Sequence, residues 1–187
     1  PVPEIFVART PSMIVRAGTD KIALQVFEHH NDPTSGVLLE LGFDSACENV
    51  HAEGLSPLAG LRHYFLGNDP ALWRSNARSF GAVRLKGVWS ETDVVLREGE
   101  QGFEYDFLLA AGADPELIRV RCRGIEGIEL ASDGALLLHT AQGILHQPKP
   151  RAFQLSSGDL REVECGFRLL DGSSFGFSIA GRDLGQP

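Results

Sequence analysis

Apolar residues recur at every second position in short runs along most of the chain, and Gly, Asp, Asn and Pro separate the runs. A period of two is typical of strands that bury one face, so the pattern predicts many strands and very little helix. Because the links are short, successive strands are expected to pair antiparallel. The predicted fold class is all-β, an antiparallel β-sandwich or a partly rolled meander. The predicted strands are 5–8, 13–17, 22–27, 37–43, 83–88, 94–97, 103–109, 118–123, 128–131, 135–140, 144–147, 152–155, 163–170 and 175–180.

A single helical turn is predicted at residues 69–73. Asp69 is placed to cap this turn with its carboxylate, and Pro70 occupies the first helical position, where its missing N–H costs nothing. Asp133 and Gly134 predict a tight hairpin between two later strands. The links between strands are therefore expected to be turns rather than helices.

The composition is that of an ordinary globular chain, since 43% of the 187 residues are hydrophobic and 22% are charged. The length predicts one domain, 1–187, or two packed halves of about 1–100 and 101–187. No apolar run approaches the roughly 18 residues of a membrane helix, so no membrane span is expected. The net charge of −8 argues against nucleic acid as a partner, because an acidic chain repels phosphate.

The three cysteines, Cys47, Cys122 and Cys165, lie far apart and form no CxxC or Cys/His cluster. This spacing argues against structural zinc and against a redox motif. An odd count leaves two alternatives: three buried free thiols, which we favour, or one disulfide and one free thiol. No metal and no cofactor is predicted.

Two predicted strands, 103–109 and 118–123, each have one apolar and one charged face. The first carries carboxylates on its charged face, and the second carries arginines. If these strands are neighbours and their apolar faces share one core, the charges form cross-strand ion pairs worth about 0.2–1 kcal/mol each. This charged face is the candidate binding surface, and its residues are Glu104, Asp106, Arg119, Arg121 and Arg123.

Glu104 and Asp106 are also the carboxylate pair best placed for glycoside hydrolysis, because residues two apart on a strand hold their carboxyl groups about 5–5.5 Å apart. Neighbouring arginines argue against that role, since a catalytic acid must carry a proton and cations favour the ionised carboxylate. We therefore predict no catalytic residue on this face.

Histidines offer two further arrangements that resemble metal ligands or a catalytic triad. These are His29 and His30 with Asp32, and His139 or His146 with Ser156. Neither a G-x-S-x-G motif nor an HExxH motif accompanies them. We predict that His29 and His30 lie in a polar loop and that His139 is a partly buried structural residue.

Several motifs follow one another along the chain, and the longest, 61–73, reads Leu-Arg-His-Tyr-Phe-Leu-Gly-Asn-Asp-Pro-Ala-Leu-Trp. The others are 80–89, 102–107, 112–118, 134–140 and 147–150. In this order they resemble the N-terminal domain of secreted bacterial proteins with β-propeller (SBBP-type) repeats. The resemblance covers about residues 5–181, with Ser90-Glu91-Thr92-Asp93 departing from the family's Gly-Ile-Asp.

The resemblance implies a secreted, periplasmic or cell-surface location, and it supplies no catalytic residues. The motif residues themselves have structural interpretations: a turn with positive φ at 67–68, a capped turn at 69–70, a core position for the tryptophan and a hairpin connection at 112–115. An alternative is that Asn68, Asp69 and Asp114 bind calcium, although neither loop has dense D-x-D-x-D spacing. The structural motif residues are Gly67, Asn68, Asp69, Pro70, Trp73, Tyr105, Gly112, Asp114 and Pro115.

The core is predicted from the inward-facing apolar positions of the strands and from two of the three large aromatic residues of the longest motif. Its predicted members are Phe65, Trp73, Phe103, Tyr105, Phe107, Val120, Leu136, Leu138, Phe167 and Phe177. Full burial of Trp73 predicts a loss of about 3–5 kcal/mol for Trp73→Ala.

Two functions are consistent with these patterns. The preferred one is a non-enzymatic extracellular or periplasmic structural or protein-interaction module, as a tethered domain or as a subunit of a larger surface assembly. Its partner would be another protein, a neighbouring repeat domain or a second copy joined through edge strands. The alternative is a carbohydrate-binding or glycoside-hydrolysing domain, for which two tryptophans and two tyrosines are a thin supply of aromatic platforms.

Overall fold

The computed structural model describes residues 6–29, 35–65, 67–99, 102–156 and 158–187. All strand pairs within these ranges are antiparallel, and the predicted all-β class is confirmed. The strands are β1 (Phe6–Arg9), β2 (Met13–Ala17), β3 (Lys21–Val26), β4 (Val37–Phe43), β5 (His51–Tyr64), β6 (Arg74–Trp89), β7 (Thr92–Gly99), β8 (Gly102–Leu109), β9 (Val120–Arg123), β10 (Gly127–Leu130), β11 (Leu136–Thr140), β12 (Gly143–Gln147), β13 (Ala152–Ser156), β14 (Asp159–Asp171) and β15 (Ser174–Ala180).

The described strands form three sheets. The largest has eight strands in the order β1-β2-β3-β4-β9-β15-β14-β13, the second has the order β5-β6-β7-β8, and the third has the order β10-β11-β12. In the largest sheet β9 pairs with both β4 and β15. That sheet therefore combines strands from both ends of the chain, while β5–β8 form a meander of their own.

One hydrophobic core is shared by the three sheets. Phe175, Leu85 and Leu136 come from the eight-, four- and three-stranded sheets, respectively, and each is fully buried in the same cluster. Trp89 at the end of β6 is 2% exposed, and its indole Nε1 donates a hydrogen bond of 2.9 Å to the Asp44 carbonyl oxygen. The buried indole thus satisfies its one polar group while joining the β6 end to the loop after β4.

Most of the predicted core is confirmed. Val120, Leu136, Leu138 and Phe177 are buried, whereas Phe103, Tyr105, Phe107 and Phe167 are partly buried and pack against the same cluster. The prediction was wrong for two residues, because Phe65 is 60% exposed and Trp73 is 38% exposed.

Short 3-10 turns stand at two aspartate-proline pairs, at Pro70–Leu72 and Pro115–Leu117. The first confirms the predicted cap, because Asp69 Oδ1 accepts a hydrogen bond of 2.9 Å from the Ala71 N–H. The predicted hairpin around Gly134, which has φ +86°, joins β10 to β11. Among the described residues, no helix has the length and apolarity needed to cross a membrane.

All three cysteines are free thiols. Cys122 and Cys165 are buried, as predicted, but Cys47 is exposed in the loop after β4. Burial raises the pKa of the Cys122 thiol to about 12, with a smaller contribution from the negative charge of Asp171. The buried thiols therefore act as small hydrophobic residues.

Candidate functional site

A long two-stranded ribbon is the main feature that the sequence did not predict. β5, with 14 residues, was missed entirely, and β6 begins at Arg74 rather than at the predicted position 83. β7 pairs with β6 only from Ala82 onward, so the earlier part of β6 pairs with β5 alone. We call residues 57–79 the arm, and residues 65–73 at its end the tip.

The arm begins where the body of the protein ends. At its base the Phe80 ring lies against Gly54 so closely that a Cβ on Gly54 would be 2.4 Å from the ring. The same ring contacts Phe6 of β1 edge to face, with centroids 5.9 Å apart. Beyond this point, the described residues of 56–71 and 73–76 are all exposed. The ribbon therefore extends away from the core.

Large apolar side chains line this exposed ribbon. Three of them are aromatic, and the other two are leucines of β5. The five residues and their exposed fractions are Leu58 54%, Leu61 52%, Tyr64 46%, Phe65 60% and Trp73 38%. Such a concentration on one protruding element is typical of a surface that binds a partner rather than of scattered surface hydrophobics.

The tip is held together by its own contacts. Trp73 packs edge to face against Phe65, with centroids 5.3 Å apart, and its indole Nε1 donates to the Gly67 carbonyl oxygen at 3.2 Å. His63 stacks on the other ring of this pair, Phe65, at 5.9 Å. Gly67 adopts φ +70°, which the turn requires, and the Arg74 guanidinium donates to two carbonyl oxygens of the turn. The aromatic side chains are therefore presented in a fixed arrangement.

The turn at the tip occurs a second time in the chain. Residues 67–73 and 112–118 both read G-x-D-P-x-L followed by a large apolar residue. The capping aspartates have nearly the same conformation, with φ −96° and ψ 109° at Asp69 and φ −95° and ψ 109° at Asp114. Gly112 also has a positive φ of +78°. One local sequence thus forms one local structure at two places.

The two turns differ in the residues that surround them. In the second copy Pro115 is buried and Ile118 is 1% exposed, because this turn lies against β15. The approach is so close that a Cβ on Gly176 of β15 would lie 2.7 Å from the Ile118 carbonyl oxygen. In the first copy the equivalent residues, Pro70 and Trp73, remain exposed. The tip therefore has the apolar residues of a docked turn, but no described part of the chain lies beneath them.

The arm also differs from the body in charge. Residues 57–79 contain three arginines and one aspartate, a net charge of +2. The remaining residues contain 14 Lys and Arg and 24 Asp and Glu, a net charge of −10. The arm is therefore a cationic, apolar projection from an acidic body.

The predicted charged face is not formed as expected. β8 belongs to the four-stranded sheet and β9 to the eight-stranded sheet, so their charged faces are not adjacent. Glu104 and Asp106 both bind Arg97 of the neighbouring strand β7, at 2.7 Å and 2.6 Å. The apolar faces of β8 and β9 do share one core, as predicted, although the two strands belong to different sheets.

The arginines of β9 have partners in their own sheet. Arg121 binds Asp44 at 2.6 Å and lies 3.8 Å from Asp171, while Arg123 lies 3.9 Å from Glu40. Arg119 is exposed just before the strand. Glu40 and Asp44 lie on β4, the neighbour of β9, and in the loop after it, whereas Asp171 lies at the end of β14, two strands away from β9. The five predicted binding residues are therefore divided between two surfaces.

The remaining candidate residues have structural roles. Tyr105 donates to Gln147 Oε1 at 2.5 Å and so joins β8 to β12. Asp114 Oδ1 accepts from the Glu116 N–H at 2.9 Å, which is the capping role predicted for Asp69 at the other turn. His139 is partly buried, as predicted, with Nε2 3.7 Å from a Glu129 carboxylate oxygen.

Metal ligands were considered at two loops and at a histidine pair. Within the described residues, no group of three or more His, Cys, Asp or Glu side chains is arranged to hold a metal ion. The calcium hypothesis stays a hypothesis, although Asp69 and Asp114 both use a carboxylate oxygen for capping. His30 and Asp32 lie outside the described residues.

The fold and the arm define a class of protein, an antiparallel all-β domain that presents an exposed apolar hairpin. Residues 5–187 match a family described as a domain of unknown function (DUF7948), and the chain belongs to that family. No curated protein and no solved structure matches the chain. The resemblance to the N-terminal domain of SBBP-type repeat proteins stays a prediction.

Proposed function

We propose that this chain is a non-enzymatic structural or protein-interaction module that uses the arm to bind another protein. The observation that carries the proposal is the contrast between the two G-x-D-P-x-L turns, one buried on β15 and one exposed at the tip. An exposed tryptophan at the centre of an apolar cluster is typical of the anchor residues of protein interfaces. The extracellular or periplasmic location belongs to this proposal and is supported by the sequence resemblance.

A site-specific photocrosslinker tests whether the tip contacts another protein. An aromatic crosslinking amino acid, which keeps a large ring at the anchor position, replaces Trp73 in one variant and Ile144, which is 57% exposed on β12, in a matched control. We expect crosslinks of one defined mass from position 73 and none from position 144 in cells that produce the full-length protein. The source cells should also be fractionated, since the proposal places the protein outside the cytoplasm.

Equal crosslinking from both positions would show that the arm is no more an interaction surface than the rest of the molecule. A protein found in the cytoplasmic fraction would overturn the location. Crosslinks from position 73 alone would support the module interpretation, whichever protein is captured.

A carbohydrate-binding module is the second candidate, and the exposed aromatic residues of the tip favour it, since sugar rings pack on such side chains. A glycan array with the wild type and Trp73→Ala separates the two functions. Binding to any polysaccharide that Trp73→Ala abolishes would favour the carbohydrate interpretation. The hydrolytic version has less support, because Glu104 and Asp106 are both occupied by the Arg97 guanidinium.

A further inference from the structure

We propose that the partner of the arm is a second copy of this chain, and that the arm docks on the outer face of the β13–β14 hairpin of that copy. This inference rests on the proposed function, because it names the partner of the same surface. In a symmetric pair each copy provides one arm and one acceptor face. The two contacts would together supply the interface.

The acceptor face is apolar. In the antiparallel pairing of β13 with β14, Leu155 lies opposite Leu160, and Phe153 lies opposite Glu162. These side chains lie on the side of the hairpin opposite to the buried Gln154 and Val163. The exposed fractions are 50% for Phe153, 44% for Leu155 and 72% for Leu160. These apolar side chains can cover the apolar side chains of an arm.

The same face carries negative charge. Residues 160, 162 and 164 alternate with the buried positions of β14, so Glu162 and Glu164 lie on the face of Leu160. The Arg151 guanidinium lies 4.9 Å from the centroid of the Phe153 ring and binds Glu162 at 2.9 Å, so the surplus negative charge of the face comes from the exposed Glu164. The arm brings a net charge of +2 to a body of net charge −10. A second copy therefore offers both the apolar surface and the opposite charge that the arm needs.

Pairing between the edges of two β5 strands is a poorer explanation. β5 is an edge strand of its sheet, but its edge is irregular. Pro57 has no N–H to donate, Ser56 and Gly60 have positive φ values of +51° and +88°, and the register with β6 shifts after Pro57. Such features disfavour strand addition. We therefore infer that the arm makes its contact through side chains. The expectation that self-association uses edge strands stays a prediction.

Sedimentation velocity over a range of protein concentrations measures the association directly. We expect a monomer–dimer equilibrium in which Trp73→Ala and Leu160→Glu each weaken association about tenfold or more, as loss of an interface anchor does. Ile144→Glu introduces the same charge at an exposed apolar residue of the three-stranded sheet, which contains neither the arm nor the β13–β14 hairpin, and should have no effect. Circular dichroism should confirm that each variant folds.

A second matched pair of variants tests whether the charge of the arm contributes to dimerisation. Arg78→Glu on the arm and Arg119→Glu on the body change the net charge equally, and both arginines are exposed. We expect Arg78→Glu to weaken the dimer and Arg119→Glu to leave it unchanged or slightly stronger. Higher salt should weaken the wild-type dimer, because exposed charges are screened.

A mixing experiment identifies which surfaces touch. Trp73→Ala retains an intact acceptor face and Leu160→Glu retains an intact arm, so a mixture of the two can form one complete contact. We expect the mixture to form more dimer than either variant alone. If the mixture shows no more dimer than its components, the two surfaces do not meet, and the assignment of the acceptor face is wrong.

A wild type that stays monomeric at every concentration tested would overturn the inference that the partner is a second copy. Crosslinks from position 73 to a different protein would then leave the proposed function standing. If the wild type is monomeric and position 73 gives no crosslinks at all, both proposals fail.

Discussion

Trp89→Ala should lower the free energy of unfolding by about 3–5 kcal/mol, whereas Trp73→Ala should lower it by about 1 kcal/mol or less. The comparison uses the two tryptophans of the chain, which the structure places in opposite surroundings. It therefore tests directly whether the arm stands apart from the core.

The larger value follows from the burial of Trp89. Its indole is 2% exposed and packs edge to face against Phe43, with centroids 5.4 Å apart. Burying an aromatic side chain removes about 200 Å² from water, which at about 25 cal/mol per Å² corresponds to about 5 kcal/mol. The alanine side chain still buries part of this area, which reduces the value, while the cavity and the loss of the hydrogen bond to Asp44 add to it.

The smaller value follows from the local nature of the contacts around Trp73. Its neighbours, Phe65 and Gly67, belong to the same tip. Truncation therefore loosens the end of the arm, which can open without unfolding the core. This corrects the loss of about 3–5 kcal/mol that full burial of Trp73 would have produced.

Urea unfolding followed by circular dichroism gives both free energies, at concentrations low enough to keep the chain monomeric. The single-tryptophan variants Trp73→Phe and Trp89→Phe provide an independent measurement. We expect blue-shifted, poorly quenched emission from Trp89 and red-shifted emission that acrylamide quenches readily from Trp73. A loss of about 3 kcal/mol or more for Trp73→Ala, with an indole shielded from acrylamide, would show that the arm folds back on the body.

Other parts of the structure give further predictions. Arg97→Gln should cost less than about 1 kcal/mol in a thermal melt and nothing at high salt, because its two ion pairs are exposed. Gly176→Ala should cost about 1–3 kcal/mol, since its Cβ would lie 2.7 Å from a backbone carbonyl oxygen, while Gly166→Ala, where the nearest atom is 3.5 Å away, should be nearly neutral. Cys47 should react with a thiol reagent in the native state, and the buried thiols only after unfolding. Burial raises the pKa of the Cys122 thiol from 9.0 to about 12. The stability that the protonated thiol contributes is therefore present below about pH 9 and is lost as the pH rises towards 12. In denaturant melts, Cys122→Ala should lose less of its free energy of unfolding at alkaline pH than the wild type does.

The sequence predicted body strands such as β4 and β11 because their buried residues alternate with less buried ones. β5 and the first part of β6 give no such alternation, since the arm is exposed on both faces and burial selects no face for apolar residues. Pro57 and Gly60 further resemble a loop signal. A strand without a core beside it is therefore hard to detect from periodicity.

The pairing of the charged strands shows a second limit of prediction from sequence periodicity. Alternation correctly placed Glu104 and Asp106 on an outer face, but it does not identify the neighbouring strand. The connection after β8 crosses to another sheet, so the carboxylates meet Arg97 of the preceding strand instead of the arginines that follow. The prediction that Trp73 is buried was wrong for a similar reason. A tryptophan is usually buried, but only the tertiary structure determines which residues lie beside it.

The capped turn at the tip has a thermodynamic consequence for any ligand. Asp69 fixes the backbone, and the hydrogen bond from the Trp73 indole to Gly67 fixes the ring that would enter an interface. Each rotamer-rich side chain immobilised on binding ordinarily costs about 0.5–1.5 kcal/mol of conformational entropy. At this tip much of that ordering occurs during folding, so a complex can form through a small contact area and still be specific.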